Sequence, residues 1–188
     1  MQTIIKISTE EYLEKEAKAD IKSEYRAGEV IAISGAQLAH NLIVSNLIYL
    51  LNECLWDTNC RVFPSDMLLK FPDCESFAYP DVMIVCEEVK LNSDKKQGLD
   101  VLLNPSVVIE VLSKSTADYD RGEKMRCYLT LPSLQQYVLI NSESFDVSTY
   151  LRNNENEWLL RIFKSQSEKI KIGNCEIVIE DIYKKVKI

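Results

Sequence analysis

The chain has 188 residues, 46% of them hydrophobic and 9% aromatic, with five Gly, five Pro and a formal net charge of −7. Such a composition supports a packed core in one domain, residues 1–188, and excludes a disordered or linker-rich chain. No apolar run approaches the roughly 20 residues that span a bilayer, and the first residues show no apolar block ahead of a cleavage site. A cytoplasmic location away from membranes is therefore expected.

The six cysteines are scattered and form no C-x-x-C pair, which argues against a structural zinc site. Without a secretion signal they are expected as reduced thiols. The acidic balance argues against nonspecific nucleic-acid binding, which leaves a basic footprint. The charge is uneven: residues 151–188 carry eight Lys and Arg against six Asp and Glu, so the acid excess lies earlier. A concentration of acids is either a solvated face or a site that attracts phosphate only with a cation bound.

In chain order, Ser8 to Tyr12 reads as a helix start with Thr9 as cap and acids in the first turn, the helix running to about Lys18. Lys22 to Ser34 reads as a hairpin turning at Ala27-Gly28. From Ala36 to about Trp56, apolar residues recur at three- and four-residue spacing, the pattern of a long amphipathic helix. Arg61 to Phe63 and Asp66 to Phe71 suggest strands. Val82 to Cys86 and Val107 to Leu112 are continuous apolar runs, as in strands buried on both faces. Glu87 to Asp100 reads as a surface loop. Asp118 to about Leu131 reads as a helix, with Ser115 or Thr116 near its start and Pro132 after its end. Gln136 to Ile140, Val147 to Leu151 and Trp158 to Phe163 read as strands, and Glu176 to Tyr183 as a short strand and a helical turn. The order predicts an α/β fold, a mixed sheet flanked by helices with an added strand-rich C-terminal part.

Two carboxylates are out of place. Asp81 opens the run Val82–Val85, and Glu110 lies inside the run Val107–Leu112. An acid in a buried strand is costly unless it is paired or binds a cation. Hard divalent cations favour carboxylate oxygen. In the helix that follows, Arg121, Lys124 and Tyr128 share a face at three- and four-residue spacing. Lys124 would stabilise charge developing on a phosphate, and Asp120, one turn earlier, would fix it. Ser113 lacks a His–Asp partner pattern, which argues against a serine hydrolase.

The segments Tyr79-Pro80-Asp81-Val82, Asn104 to Ser113 with Glu110, and Asp120-Arg121-Gly122-Glu123-Lys124 with Tyr128 resemble the bacterial "putative restriction endonuclease" family. That family belongs to the PD-(D/E)XK nucleases. The resemblance extends to Glu24, Gly28-Glu29, the segment from Gly35 to Asn41 with His40, and Val62 to Asp66. It implies a restriction-endonuclease-like core and Mg²⁺-dependent cleavage of DNA, with Mn²⁺ able to substitute. Asp81 and Glu110 match the metal carboxylates. The lysine expected two residues after the glutamate is replaced by Leu112. Lys124, supplied from the next helix, is preferred in its place, with Lys114 as the alternative.

Glu24, His40, Asp66, Asp120 and Tyr128 are secondary candidates for the site, each with an ordinary packing or capping role as the competing reading. A homodimer is expected, since two symmetric sites suit cleavage of two strands. The competing functions are a catalytically inactive nucleic-acid-binding or regulatory module on the same fold, and an interaction protein that binds another chain.

Overall fold

The computed structural model describes residues 6–93, 98–113 and 117–188. Helix α1 (Thr9–Glu16) leads into strands β1 (Ser23–Arg26) and β2 (Glu29–Ala32). The cap of α1 is Ser8, whose hydroxyl accepts from the Glu11 N–H, in place of Thr9, which is the first helical residue. Ala27 and Gly28 both adopt positive φ, 45° and 104°. Two such residues make the tight connection whose twist matches a hairpin, and Gly28 takes its value at no steric cost.

Helix α2 (Leu38–Leu55) follows, burying Ile43, Leu47, Leu51 and Leu55, a stripe at four-residue spacing. Strands β3 (Arg61–Pro64), β4 (Leu68–Phe71), β5 (Ser76–Ala78), β6 (Val82–Val85), β7 (Val101–Leu102) and β8 (Val107–Leu112) come next. Helices α3 (Ala117–Arg121) and α4 (Glu123–Thr130) then cross over to β9 (Gln136–Asn141). The chain closes with β10 (Val147–Arg152), β11 (Trp158–Phe163), β12 (Lys169–Ile172), β13 (Cys175–Val178) and α5 (Ile179–Ile182).

The strands form a six-stranded sheet ordered β11-β10-β9-β8-β6-β3, a five-stranded sheet ordered β2-β1-β5-β4-β7, and the pair β12-β13. The six-stranded sheet is mixed: β8 and β9 are parallel, joined through α3 and α4, because parallel neighbours need a long crossover. Alternation along β8 divides the core. Val107, Ile109 and Val111 join a cluster with α2, α5 and the β12-β13 pair. Val108 and Leu112 face a second cluster with β4, β5 and α4. Glu110 shares the parity of this second face. A third cluster packs Tyr12 and Leu13 of α1 against Tyr25, Phe77 and Tyr79. The central sheet is thus covered on both sides, which explains why its strands read as unbroken apolar runs.

Several expectations need correction. The helix read as continuous from Asp118 breaks at Gly122, whose φ −109° and ψ −104° are not helical. Arg121 consequently falls on the exposed side, away from Lys124 and Tyr128. Asp66 lies in the turn before β4 rather than in the strand. Strands β5, β7 and β12 emerge where none was read. Lys114, Ser115 and Thr116 lie outside the described residues.

The cysteines expected as reduced thiols are instead paired as disulfides: Cys54–Cys175, Cys60–Cys86 and Cys74–Cys127. The partners are 121, 26 and 53 residues apart in sequence. Spatial proximity created by the fold pairs them, and a scan for short Cys spacings has no access to that. Among the described residues no helix is long and apolar enough to cross a membrane.

Candidate active site

The antiparallel register of β6 and β8 sets Val82 opposite Ile109. One step further along this ladder Asp81 meets Glu110. The Asp81 N–H lies 3.4 Å from Glu110 Oε2. Asp81 Oδ2 accepts from the Val111 N–H at 2.8 Å and lies 3.1 Å from His40 Nε2. Its side chain keeps 17% of its surface exposed, whereas Glu110 is buried.

The β8-to-β9 crossover lays α4 over this point. Lys124 Nζ lies 2.8 Å from Glu110 Oε1, 2.9 Å from Glu24 Oε1 and 3.7 Å from Asp120 Oδ1. The Tyr128 hydroxyl, one turn on, donates to the same Glu110 oxygen. Glu24 arrives from β1, with its second oxygen 2.8 Å from Arg26 Nη2. The Arg26 guanidinium in turn stacks 3.3 Å over the Tyr119 ring of α3. Asp120 is held in place partly through its backbone carbonyl, which accepts from the Tyr137 hydroxyl at 3.1 Å.

Burial dominates the electrostatics. It pushes the Glu110 carboxyl up to about 8, with Asp120 and Asp81 adding to the rise and Lys124 opposing it. Burial alone would lower the Lys124 ammonium, but Glu110, Glu24 and Asp120 outweigh it and hold the group well above its ordinary value. Burial would likewise raise Glu24, yet Lys124 and Arg26 hold it below the usual carboxylate range. Burial lifts the Tyr128 phenol far above its ordinary value, and Glu110 adds to this. The tyrosine stays a neutral donor.

These groups open onto a cleft of about 820 Å³ whose walls include Lys22, Arg26, Gln37, His40, Asn41 and Tyr119. Of the residues singled out in the sequence, Asp81, Glu110, Lys124, Glu24, His40 and Asp120 all line it. Tyr128 lies behind them in the core, touching Glu110. Asp66 does not join them: its side chain is 85% exposed and pairs with Lys22.

Sequence reasoning missed Arg26 and Tyr119. Arg26 was within reach, because residues two apart on a strand share a face and Glu24 had been singled out. It also missed the Val111 N–H that orients Asp81, since a backbone donor has no signature in side-chain type.

The donor set decides what cation fits. Among the described residues no group of three or more His, Cys, Asp or Glu side chains is placed to hold a metal. Two adjacent carboxylates, with Glu110 Oε2 engaged among the described residues by a 3.4 Å contact alone, suit Mg²⁺ or Mn²⁺, which keep several waters and take one or two protein carboxylates. They do not make a closed structural zinc site, which takes four ligands drawn mostly from Cys and His.

The family model Uma2, described as "Putative restriction endonuclease", matches residues 9–175. The chain belongs to this family. Two relatives from Synechocystis sp. accompany it. The uncharacterized protein sll1609 is 36% identical over 171 residues, covering 91% of this chain and 95% of the relative. The uncharacterized protein slr1290 is 31% identical over 180 residues, covering 95% and 92%. Among solved structures, a putative nuclease belonging to DUF820 from Anabaena variabilis superposes with a TM-score of 0.74 at 19% identity, covering 94% of this chain and 97% of the other. At that identity the likeness speaks for the fold. The Uma2 match spans Glu24, His40, Asp81, Glu110 and Lys124 together, so the whole cleft lies inside the family's territory.

Proposed function

We propose that this chain is a divalent-metal-dependent endonuclease that hydrolyses DNA phosphodiester bonds. The observation that carries the reading is Asp81 beside Glu110 across β6 and β8, with Lys124 on Glu110, all opening onto one cleft. Membership in the Uma2 family supports it.

Asp81 and Glu110 would hold Mg²⁺ or Mn²⁺, which supplies Lewis-acid activation of the phosphate and of water. Charge favours such a partner. The cleft wall carries the cations Lys22, Arg26 and Lys124 against the carboxylates Glu24, Asp81, Glu110 and Asp120. A divalent cation bound at Asp81 and Glu110 would tip that balance toward a phosphodiester. The chain's own residues have distinct tasks. The Val111 N–H and His40 orient Asp81. Tyr128 and Lys124 fix Glu110. Lys124 offers positive charge where phosphate charge grows. Asp120 and Glu24 hold that lysine. A homodimer would present two such sites to the two strands of a duplex.

A second reading, a nucleic-acid-binding module without cleavage, is favoured by one observation: Lys124 is shared among three carboxylates rather than presented to solvent. Supercoiled plasmid incubated with the protein, with and without Mg²⁺ or Mn²⁺, separates the two. Metal-dependent nicking that disappears in an Asp81→Ala/Glu110→Ala variant is the expected result. Nicking that survives in that variant overturns the mechanism. Plasmid binding without nicking, unchanged in the variant, supports the binding module.

A further inference from the structure

The cations of the cleft wall, Lys22, Arg26 and Lys124, differ in how far their donors are already used. Lys124 Nζ is shared among Glu110, Glu24 and Asp120. Lys22 Nζ donates to the Ser65 carbonyl at 2.9 Å and to Asp66 Oδ1 at 2.8 Å. Arg26 is engaged at one nitrogen. Its Nη2 donates to Glu24 Oε2 at 2.8 Å, while Nε and Nη1 make no hydrogen bond among the described residues. Nε is buried, and the side chain as a whole keeps 31% of its surface exposed.

The guanidinium is also held in a fixed plane. Its central carbon lies 3.3 Å from the centroid of the Tyr119 ring. Arg26 comes from the end of β1 and Tyr119 from α3, so the stack bridges two walls of the cleft. Neutralising Glu24 does not account for this arrangement, because the other oxygen of Glu24 already meets Lys124 at 2.9 Å. A planar guanidinium with donors to spare matches the geometry of a phosphate, which a lysine meets only as a point charge. Stacking and the Glu24 pair have restricted the side chain beforehand, so less entropy is lost on binding.

We infer that Arg26, stacked on Tyr119, is a clamp for a backbone phosphate of DNA, with Nη1 donating to a phosphate oxygen. The contacts Arg26–Glu24–Lys124–Glu110 run in sequence. They set the clamp to one side of the carboxylate pair, so the phosphate it holds is a neighbour of the reacting one. Such a contact positions the strand and carries no sequence information. The inference rests on the reading of this cleft as the nucleic-acid site. In a chain of net charge −7 few cations meet the polyanion, so the loss of one is visible.

The test is fluorescence anisotropy of two labelled duplexes of unrelated sequence, over a salt series. Ca²⁺, which also takes oxygen ligands, replaces Mg²⁺. Arg26→Ala is expected to weaken binding of both duplexes equally, by roughly tenfold or more, and to lower the slope of log affinity against log salt by about one. A merely structural role would not move that slope. Arg26→Lys keeps the charge and the pairing with Glu24 but not the planar fork. It is expected to keep the native slope and to bind several-fold more weakly. Arg26→Ala with native affinity and slope overturns the inference. So does a loss confined to one duplex, Arg26→Lys binding as tightly as the native chain, or a native chain that binds neither duplex at low salt. Plasmid nicking by the native chain in Mg²⁺ is scored separately. An Arg26-dependent slope without nicking supports the clamp and removes cleavage, and nicking with an Arg26-independent slope removes the clamp and keeps cleavage.

Discussion

The floor and the mouth of the cleft are built on opposite principles. At the floor, Glu110, Lys124 and Glu24 are buried, and each is held by at least one oppositely charged group. At the mouth, Asp81 keeps part of its surface open and is oriented by a backbone N–H and His40 rather than by a lysine or arginine. The lesson is that one carboxylate of the pair is immobilised and the other is presented. Stability should therefore depend on the floor, and metal capture on the mouth.

The largest break in that contrast is Lys124→Ala. Removing the ammonium leaves Glu24 and Glu110 buried without their shared partner, a loss of about 3–5 kcal/mol, to be read as a lowered urea midpoint. Next is Tyr128→Phe, which deletes one donor to Glu110 and should cost roughly 1.5–3 kcal/mol by the same measurement. A loss below about 0.5 kcal/mol would mean that the floor is not a network. The pH dependence sharpens the comparison. Burial raises the Glu110 carboxyl to about 8, and only the deprotonated form is a metal ligand. Mn²⁺ affinity should thus rise as pH increases through that value, with protons released on binding, as calorimetry in buffers of different ionisation enthalpy would detect. The smallest effect belongs to Asp66→Ala. Its exposed pair with Lys22 is worth about 0–1 kcal/mol, and plasmid nicking should be unchanged.

Much of the site was legible because its residues violate local expectation. Asp81 and Glu110 were visible as acids embedded in apolar strands, and the strand register then brought them together. Lys124 was visible through helical spacing and the family resemblance. Its neighbour Arg121 was misplaced because spacing assumes an unbroken helix, and Gly122 interrupts it. Asp66 was assigned to a strand because it precedes an apolar stretch, but the chain turns after Pro64 before β4 begins. The strands β5 and β7, three and two residues long, are too short to show alternation. The disulfides were illegible for another reason: Cys54 and Cys175 meet only because α2 packs on β13, a contact between distant parts of the chain.

The central claim is that Asp81 and Glu110 act as one metal site, and Mn²⁺ binding followed by electron paramagnetic resonance tests it most directly. The native chain and an Asp81→Asn variant, which keeps the side chain's shape and removes its charge, would be titrated side by side. The account predicts one bound ion per native chain and none at the same concentrations in the variant, with both proteins equally stable to urea. Equal Mn²⁺ binding by the two would contradict it.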